Sequence, residues 1–272
     1  MELWLREEFA KKWEGKDAFA KVDALEGEVF RNVKNRRTLR FEQDGKGYFA
    51  KIHHGVGWGE ILKNLVSFRL PILGAENEWH AIAKLQKLGV ATMTAVGYGN
   101  KGLNPATRHS FILTEALDDT VSLEDYCGKW PSSPPNFVEK IRLIRQVART
   151  SKLLHENGVC HRDFYICHFL LHDAEAFSRG EILEPKLSLI DLHRALIHRK
   201  LHKRWIVKDV AGLYFSALHI GLSTRDFLRF AKLYSGKSLR QIQSEDGDFW
   251  TLVKKKAFAL DAKINAVEGG ST

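Results

Sequence analysis

Three consecutive residues, His161-Arg162-Asp163, have the types and the setting expected of a catalytic loop. The apolar run Phe169–Leu171 follows them closely and predicts a strand, and a helix is predicted before them. A loop carboxylate held between two such elements can orient an acceptor hydroxyl and take its proton during group transfer. Asp163 is therefore the first candidate for a catalytic residue.

The helix before this loop is indicated by both of its ends. Asn136 is a suitable N-cap, Glu139 stands three residues later, and Gly158 supplies a left-handed stop. Between them, apolar and small side chains recur on one face: Val138, Ile141, Ile144, Val147, Ser151 and Leu154. The catalytic loop is therefore expected to start at the end of a packed helix.

A second carboxylate follows on a separate strand, and a lysine lies far upstream. The stretch Lys186–Asp191 reads as a short strand that ends on the carboxylate of Asp191, and Tyr48–Ile52 reads as a strand that carries Lys51. Protein kinases combine a strand lysine that holds nucleotide phosphates, a catalytic-loop aspartate and a metal-binding aspartate in this order. The pattern therefore favours phosphoryl transfer.

A helix is predicted from Ala75 to Leu88, and it offers a partner for Lys51. Glu78 shares a face with the apolar side chains four and seven residues later, so its carboxylate can point inward toward Lys51. Glu76 lies on a neighbouring face and is the alternative partner. The inward face favours Glu78.

Several separated motifs resemble those of the lipopolysaccharide core heptose(I) kinase family. They are His161–Leu171, Ile190–Ala195, Gly57–Ile61, Glu78-Trp79 and Lys208–Ser216. The resemblance extends over nearly the whole chain, and matches in the right order are more specific than a lone tripeptide. It implies an α+β, protein-kinase-like two-lobed fold. The small β-rich lobe with an N-terminal extension would span residues 1–114, the hinge 115–117 and the mainly helical large lobe 118–272.

The resemblance also implies an activity, a set of cofactors and a set of site residues. The expected reaction transfers the γ-phosphoryl group of ATP, with Mg²⁺, to the 4-hydroxyl of the first heptose of the lipopolysaccharide inner core. Asp163 would be catalytic, with Arg162 supporting the loop, and Asp209 would brace that loop from a helix unless it is only a favourable first-turn acid. Nucleotide contacts would come from Lys51, Glu78, the backbone of Glu115 and Leu117, His168 and Asp191, with His168 and Asp191 near the metal.

Three departures from the protein-kinase pattern bear on this expectation. The segment 31–37 contains no glycine, so side chains such as Lys34, Arg36 or Arg37 would have to contact phosphate there. His168 stands where protein kinases carry an asparagine, and imidazole suits Mg²⁺ poorly. We therefore expect either one tightly bound metal or a histidine that contacts phosphate. Leu192-His193 replaces the usual Phe-Gly.

The segment between Asp191 and Asp209 is short and basic. It has no room for the long peptide-binding segment of protein kinases, which favours a small or glycolipid acceptor. Its basic side chains suit phosphates and acidic sugars. The candidate substrate contacts are Arg194, Arg199, Lys203 and Arg204, with His198, Lys200 and His202 beside them.

Composition points to an anionic partner. The 42 Lys and Arg residues exceed the 33 Asp and Glu residues, for a net charge of +9. Candidate partners are nascent lipopolysaccharide, acyl carrier protein, which the resemblance implies, and the inner-membrane surface. No nucleic-acid-binding motif accompanies the charge. The segment 53–74 is amphipathic and fits either a membrane or partner contact or packing on the small lobe.

The expected location is the cytoplasm, with peripheral association at the cytoplasmic face of the inner membrane. The first residues are too acidic for a secretory signal, and the three cysteines do not form a disulfide framework. Cys160-His161 and Cys167-His168 could be misread as a zinc site, but small buried side chains are the better interpretation of both cysteines.

Two alternative functions stay open. The chain could phosphorylate another acceptor, namely Kdo, the second heptose, a small molecule or a protein tyrosine. It could also be a catalytically inactive kinase-like protein that binds a lipid or a partner. Transfer to purified lipid separates these readings from the first.

Overall fold

The computed structural model of the chain describes residues 1–33, 35–55, 57–59 and 74–268. Lys34 and most of the amphipathic segment 53–74 lie outside the described residues, so the hypotheses on them stay as stated. Contacts divide the chain into two compact units. The first comprises Met1–Lys87, Thr92–Asp118 and Leu192–Arg194, and the second comprises Leu88–Ala91, Asp119–Asp191 and Ala195–Thr272.

The first unit is built on a six-stranded sheet. Its strands are β1 (Glu2–Leu5), β2 (Glu28–Val33), β3 (Arg36–Gln43), β4 (Lys46–His53), β5 (Ala95–Lys101) and β6 (His109–Glu115). They lie in the order β1-β5-β6-β4-β3-β2 with every neighbouring pair antiparallel. The accompanying helices are α1 (Glu7–Lys12), α2 (Ala18–Asp23) and α3 (Glu76–Lys87).

The dipeptide Asp44-Gly45, whose sequence predicts a hairpin turn, fixes the register of β3 and β4. Both residues have positive φ, 54° and 74°, as a two-residue hairpin turn requires. Lys51 consequently lies opposite Thr38 on β3 and Ile112 on β6. Because side chains alternate along a strand, Ala50 and Ile52 enter the apolar core while Lys51 projects from the other face.

The N-terminal segment differs from the sequence-based prediction. In the sequence, the spacing of Trp4, Phe9 and Trp13 predicts one helical stripe, but residues 2–5 form the edge strand β1 and pair with β5. Trp4 instead packs against Trp79, with ring centroids 5.0 Å apart and ring planes tilted by 44°. Phe9 and Trp13 are buried in the core, as a docked extension requires. Edge pairing satisfies the backbone of residues 2–5, which a lone helical turn would leave unpaired.

The second unit contains two small sheets. Strands β7 (Thr120–Ser122), β9 (Phe169–His172) and β10 (Leu187–Leu189) form one in the order β10-β9-β7, and β8 (Val159–Cys160) pairs with β11 (Leu196–Ile197). The helices are α4 (Leu123–Cys127), α5 (Phe137–Glu156), α6 (Ala174–Ser178), α7 (Lys203–Ser216), α8 (Thr224–Ser235), α9 (Leu239–Glu245) and α10 (Gly247–Glu268).

Both ends of α5 are confirmed. The Asn136 side chain accepts a hydrogen bond from the backbone N–H of Glu139 at 2.8 Å. After the helix, Gly158 adopts a φ of 77°, and a Cβ there would lie 1.7 Å from the carbonyl oxygen of His198. Only glycine lets the chain turn here while β8 pairs with β11. The helix therefore delivers the chain directly to His161.

Among the described residues, the helices are too short or too polar to cross a membrane.

Candidate active site

Lys51 and Glu78 form the ion pair expected in the first unit. Lys51 Nζ lies 2.7 Å from Glu78 Oε1, and the two side chains are 15% and 1% exposed. Glu76 is directed elsewhere, with its Oε2 3.4 Å from Arg108 Nη1. The preference for Glu78 over Glu76 is therefore confirmed.

Aromatic packing explains the orientation of Glu78. The neighbouring Trp79 stacks on Tyr98 of β5 at 5.0 Å, with ring planes 9° apart. This contact fixes the rotation of α3, so the adjacent carboxylate turns into the interior. The short turn Leu192–Arg194 also packs on α3, and the Leu192 side chain is fully buried. The residue that replaces the kinase phenylalanine thus serves as a packing side chain.

Two further basic residues belong to the face of the sheet that carries Lys51. Arg36 lies directly opposite His53 in the β3–β4 register, and both share that face. Burial lowers the pKa of His53 to about 3, and the positive charges of Arg36 and Lys51 lower it further. His53 is therefore a neutral, buried imidazole, a feature that sequence reasoning missed.

Arg37 projects from the opposite face and does not fit the phosphate-contact hypothesis. Its guanidinium donates hydrogen bonds to the carbonyl oxygens of Asp23 at 3.2 Å and Leu25 at 2.9 Å. It therefore anchors the N-terminal segment. Lys34, Arg36 and Arg37 were the three candidates for phosphate contact. Lys34 lies outside the described residues, and Arg36 lies on the same face of the sheet as Lys51.

The predicted hinge begins with residues whose backbone donors already have partners. The N–H of Glu115 donates to the carbonyl of Thr94, and the N–H of Ala116 donates to that of Gly47, both at 2.9 Å. The Glu115 carboxylate pairs with Arg6 Nη1 at 2.7 Å. An adenine base would thus have to use other backbone groups of this segment.

In the second unit, Asp209 braces the loop that carries Asp163. Its carboxylate accepts hydrogen bonds from the backbone N–H groups of His161 at 2.6 Å and Arg162 at 2.8 Å. Arg162 has a φ of 73°, which is unusual for a residue other than glycine. The bracing contact expected for Asp209 is confirmed, and it holds the loop in a backbone conformation that would otherwise be unfavourable.

The Asp209 carboxylate is itself part of a buried polar network. His155 Nε2 lies 3.4 Å from Asp209 Oδ2, and His155 Nδ1 lies 2.8 Å from the hydroxyl of Tyr234. Burial acts to raise the pKa of Asp209, but the hydrogen bond from His155 and the nearby imidazoles outweigh it and hold the pKa below its ordinary value. No motif marked His155 or Tyr234, because their role depends on tertiary packing.

The His168 ring lies between the backbone of Asp163 and the carboxylate of Asp191. Its Nδ1 lies 2.7 Å from the backbone carbonyl oxygen of Asp163, and its Nε2 lies 3.7 Å from Asp191 Oδ2. Because a carbonyl oxygen can only accept, Nδ1 carries a proton and donates it. In the neutral ring, the Nε2 lone pair is then directed toward Asp191.

A second histidine ties the same segments together through the backbone. His161 Nε2 donates to the carbonyl oxygen of Ile190 at 2.9 Å, and the N–H of Ile190 donates to the carbonyl of His168 at 3.0 Å. Asp191 follows with a φ of 61°, again in the left-handed region. The structure therefore brings Asp163, His168 and Asp191 together within the second unit.

The basic residues after Asp191 fall into different settings. Arg194 belongs to the first unit, whereas Arg199, Lys203 and Arg204 are exposed on the second. The guanidinium of Arg204 lies 4.7 Å from the Trp205 ring centroid, and that of Arg162 lies 5.5 Å from it. Trp205 thus joins the basic segment to the catalytic loop through two cation–π contacts.

The two Cys-His pairs are not arranged as a zinc site. The Cys160 thiol lies 3.8 Å from the carbonyl oxygen of Trp205, and burial raises its pKa well above the ordinary value. His161 and His168 are directed to the carbonyl oxygens of Ile190 and Asp163. Cys160 is fully buried, as a small apolar side chain would be.

A large apolar cavity lies within the second unit. Its lining does not include Asp163, His168 or Asp191. Its volume is about 850 Å³. Helices α5, α7, α8 and α10 contribute side chains such as Val147, Leu213, Ala231 and Val253. Sequence reasoning missed it, because a cavity between helices and a filled core share the same apolar periodicity.

The antiparallel sheet with its Lys51–Glu78 pair, and the helical unit with its braced aspartate loop, define a kinase-like α+β protein. A sequence profile of the lipopolysaccharide kinase (Kdo/WaaP) family matches residues 20–234. The chain belongs to this family, and the expected fold class is confirmed.

Individual relatives agree with this assignment. The lipopolysaccharide core heptose(I) kinase WaaP of Escherichia coli strain K12 is 52% identical over 253 residues, which cover 93% of this chain and 94% of that protein. The protein of the same name from Pseudomonas aeruginosa strain PAO1 is 50% identical over 260 residues, covering 96% of each chain. A solved structure described as WaaP in complex with acyl carrier protein is 45% identical, has a TM-score of 0.81, and is covered to 99% by 96% of this chain.

Proposed function

We propose that this chain transfers the γ-phosphoryl group of ATP to the 4-hydroxyl of the first heptose of the lipopolysaccharide inner core. The observation that carries the proposal is the constellation of Asp163, His168 and Asp191. His168 bonds to the backbone carbonyl of Asp163 at 2.7 Å and lies 3.7 Å from the Asp191 carboxylate, and Asp209 braces the loop. Relatives of the same length and about half-identical sequence carry the heptose(I) kinase name. The acceptor is inferred from those names.

Asp163 is assigned to the acceptor hydroxyl. Phosphoryl transfer through a loose transition state asks mainly for positioning and charge neutralisation, so a carboxylate that orients the hydroxyl and takes its proton is sufficient. Arg162 acts as a positioning residue, since its backbone N–H donates to Asp209 and its guanidinium packs on Trp205. The loop therefore holds Asp163 without a contact between Arg162 and substrate.

The residues fit Mg²⁺, with Asp191 as its ligand. A hard cation requires oxygen donors, and the Asp191 carboxylate supplies them. When bound, the ion would supply positive charge that offsets the negative charge of the nucleotide phosphates. Lys51, held by Glu78, is assigned to the α and β phosphates, and Arg36 is the basic side chain on the same face that can replace backbone contacts from a glycine-rich loop.

His168 is assigned to the same nucleotide region, with two possible roles. A neutral ring directs its Nε2 lone pair toward Asp191 and could complete a metal site, whereas a protonated ring would donate to a phosphate oxygen. His168→Asn separates these roles. Near-parental kcat with Mg²⁺ would assign His168 to the metal, because asparagine serves that purpose in protein kinases. A loss of about 100-fold or more would assign it to phosphate.

The central test is transfer of labelled phosphate from ATP to purified heptose-bearing inner-core lipid, with Kdo-only lipid as the acceptor control. Asp163→Ala and Asp191→Asn should each reduce kcat by at least about 1,000-fold. Asp173→Asn is the matched control, because Asp173 is a surface aspartate of the same unit that also has positive φ. Label on Kdo-only lipid would redirect the assignment to another acceptor, and nucleotide binding without product would favour an inactive binding protein.

The proposed partners follow from charge and from the apolar cavity. The net charge of +9 suits both an anionic membrane surface and an acidic protein. One solved relative is described in complex with acyl carrier protein, and the cavity of about 850 Å³ has the size and lining for a fatty acyl chain. We assign acyl carrier protein as a partner, and the cytoplasmic face of the inner membrane as the working location.

Cavity filling tests the partner assignment. Val147 lines the cavity, while Val138 is 49% exposed on the same helix. Acyl-loaded carrier protein should raise the Tm of the parent and of Val138→Phe. The rise in Tm should be much smaller for Val147→Phe, because the larger side chain fills the cavity. Equal stabilisation of all three by acylated and unacylated carrier protein would place the interaction outside the cavity.

A further inference from the structure

We propose that Asp23, His54 and His109 form a binding site for a transition-metal dication such as Zn²⁺. The three residues are far apart in sequence and meet in the first unit. Asp23 ends α2, His54 follows β4 directly, and His109 begins β6. Their ligand atoms lie within 4.8 Å of one another.

The distances fit ligands that share one small cation. Asp23 Oδ1 lies 3.4 Å from His54 Nε2 and 3.2 Å from His109 Nε2. Zinc bonds to nitrogen and oxygen are about 2.0–2.1 Å long, so two ligand atoms on a tetrahedral ion are separated by about 3.3 Å. Both oxygen–nitrogen separations match this edge, and the half-exposed His54 ring is able to adjust.

A hydrogen-bonded cluster does not explain the contact equally well. His109 Nε2 is buried, and Asp23 Oδ1 lies 3.2 Å away, but the two atoms are poorly aligned for a hydrogen bond. The ring nitrogen instead faces the space beside the carboxylate oxygen. A buried nitrogen without a well-aligned hydrogen bond costs free energy, which a bound cation would remove.

Surrounding contacts hold the three ligands in place. The His109 ring packs on Phe19 with centroids 5.0 Å apart and on His54 at 4.4 Å. Arg37 holds the carbonyl oxygen of Asp23, and the N–H of His54 donates to the carbonyl of Asn35 at 2.9 Å. Such outer contacts orient the ligands of metal sites.

The donor set selects the kind of ion. Two imidazoles and one carboxylate suit Zn²⁺ and its transition-metal neighbours, whereas Mg²⁺ requires mainly oxygen donors. The fourth position would be open to water, because Asp23 and His54 are 40% and 47% exposed. A bound ion would connect α2 to β4 and β6, and so fasten the N-terminal segment to the strand that carries Lys51.

The test is titration of the tag-free full chain with Zn²⁺ by calorimetry, together with the visible absorption of bound Co²⁺ as a spectroscopic signature of tetrahedral ligation. Asp23→Asn and His54→Ala should each weaken Zn²⁺ binding by about 10- to 100-fold and abolish the Co²⁺ band. Both positions are exposed enough to accept the change without loss of the fold. Zn²⁺ should also raise the Tm of the parent and not of these variants.

Two controls make the result specific. His219 and Asp261 form a surface pair at 2.7 Å in the second unit, so His219→Ala removes a histidine–aspartate contact of the same kind. Asp191→Asn removes the carboxylate assigned to Mg²⁺. Both variants should bind Zn²⁺ as the parent does. Absence of Zn²⁺ binding to the parent at 100 μM, binding unaffected by Asp23→Asn and His54→Ala, or binding lost in either control would overturn the proposal.

Discussion

The two units position their candidate functional groups in different ways. In the first unit, Lys51 and Glu78 project from a regular strand and a regular helix and meet as one ion pair. In the second, Asp163 and Asp191 stand on short loops, and Arg162 and Asp191 have positive φ. In the first unit, an ion pair between two side chains positions the candidate groups. In the second unit, a buried hydrogen-bond network positions them by holding the backbone of the loop.

This difference has an energetic basis. A residue other than glycine in the left-handed region costs about 1–2 kcal/mol, and the second unit has one such residue beside Asp163 and another at Asp191 itself. Hydrogen bonds from the loop to buried Asp209 offset that cost. The network is therefore expected to control both stability and activity, whereas the ion pair should affect stability less.

The largest effect is expected from Asp209→Ala. The substitution leaves the N–H groups of His161 and Arg162 without their acceptor, and it removes the contact of His155 Nε2 with the carboxylate. Loss of a buried, charged acceptor of this kind should lower the free energy of unfolding by about 3–5 kcal/mol. The folded fraction should also lose phosphoryl transfer. Urea unfolding followed by tryptophan fluorescence, with kcat measured on the same sample, checks both.

Asp226→Ala provides the matched control. Asp226 is equally buried in the same unit, but it caps α8 and pairs with Lys140 at 3.0 Å and Arg229 at 2.7 Å. Its removal should cost stability without changing kcat per folded molecule. Equal loss of kcat in both variants would mean that any buried carboxylate of this unit supports activity, and the proposed role of the loop network would be wrong.

The same contrast explains how far sequence reasoning reached. The ends of α5, the Asp44-Gly45 turn and the choice of Glu78 over Glu76 were predictable, because local chemistry and helical periodicity determine them. The role of Asp209 was predictable because a family motif carries it.

Features that depend on tertiary contacts were not predictable. Residues 2–5 follow a helical spacing but pair as a strand, because β5 presents an open edge. Arg37 reads as a phosphate contact until the register turns it to the other face of the sheet. The His155–Tyr234 contact and the cluster of Asp23, His54 and His109 join residues that no local pattern relates.

A smaller effect is expected from the ion pair of the first unit, and it should be asymmetric. Lys51→Met leaves the carboxylate of Glu78, only 1% exposed, without its cation, whereas Glu78→Gln leaves a lysine that is 15% exposed. Stability should fall by about 2 kcal/mol in the first variant and about 1 kcal/mol in the second. Urea unfolding measures both, and kcat should fall strongly in each.

The double variant Lys51→Met/Glu78→Gln completes the cycle. It should be more stable than Lys51→Met alone, because no buried charge is left uncompensated. Additive losses in the double variant would show that the two side chains do not depend on each other, which would contradict the pairing as a determinant of this site.

The smallest effect concerns pH and compares one buried group from each unit. Burial lowers the pKa of His53 to about 3, so between about pH 6.5 and pH 3 the unfolded chain binds a proton that the folded chain does not. Its contribution is present at neutral pH and is lost as the pH falls through this range. For Asp226, burial acts to raise the pKa, but hydrogen bonds from Ser223 and Lys140 outweigh it and bring the pKa to about 2, so its contribution is lost only below about pH 4.

Substitution of each group should therefore reduce the loss of unfolding free energy over a different part of the acidic pH range. His53→Met should reduce the loss of stability between pH 6.5 and pH 4.5 by roughly 1–2 kcal/mol, since one proton changes the unfolding free energy by about 1.4 kcal/mol per pH unit at most. Asp226→Asn should change the pH dependence of the unfolding free energy only below pH 4. Urea unfolding at closely spaced pH values measures both, and a His53→Met profile that runs parallel to the parent would show that the first unit tolerates protonation of this buried ring.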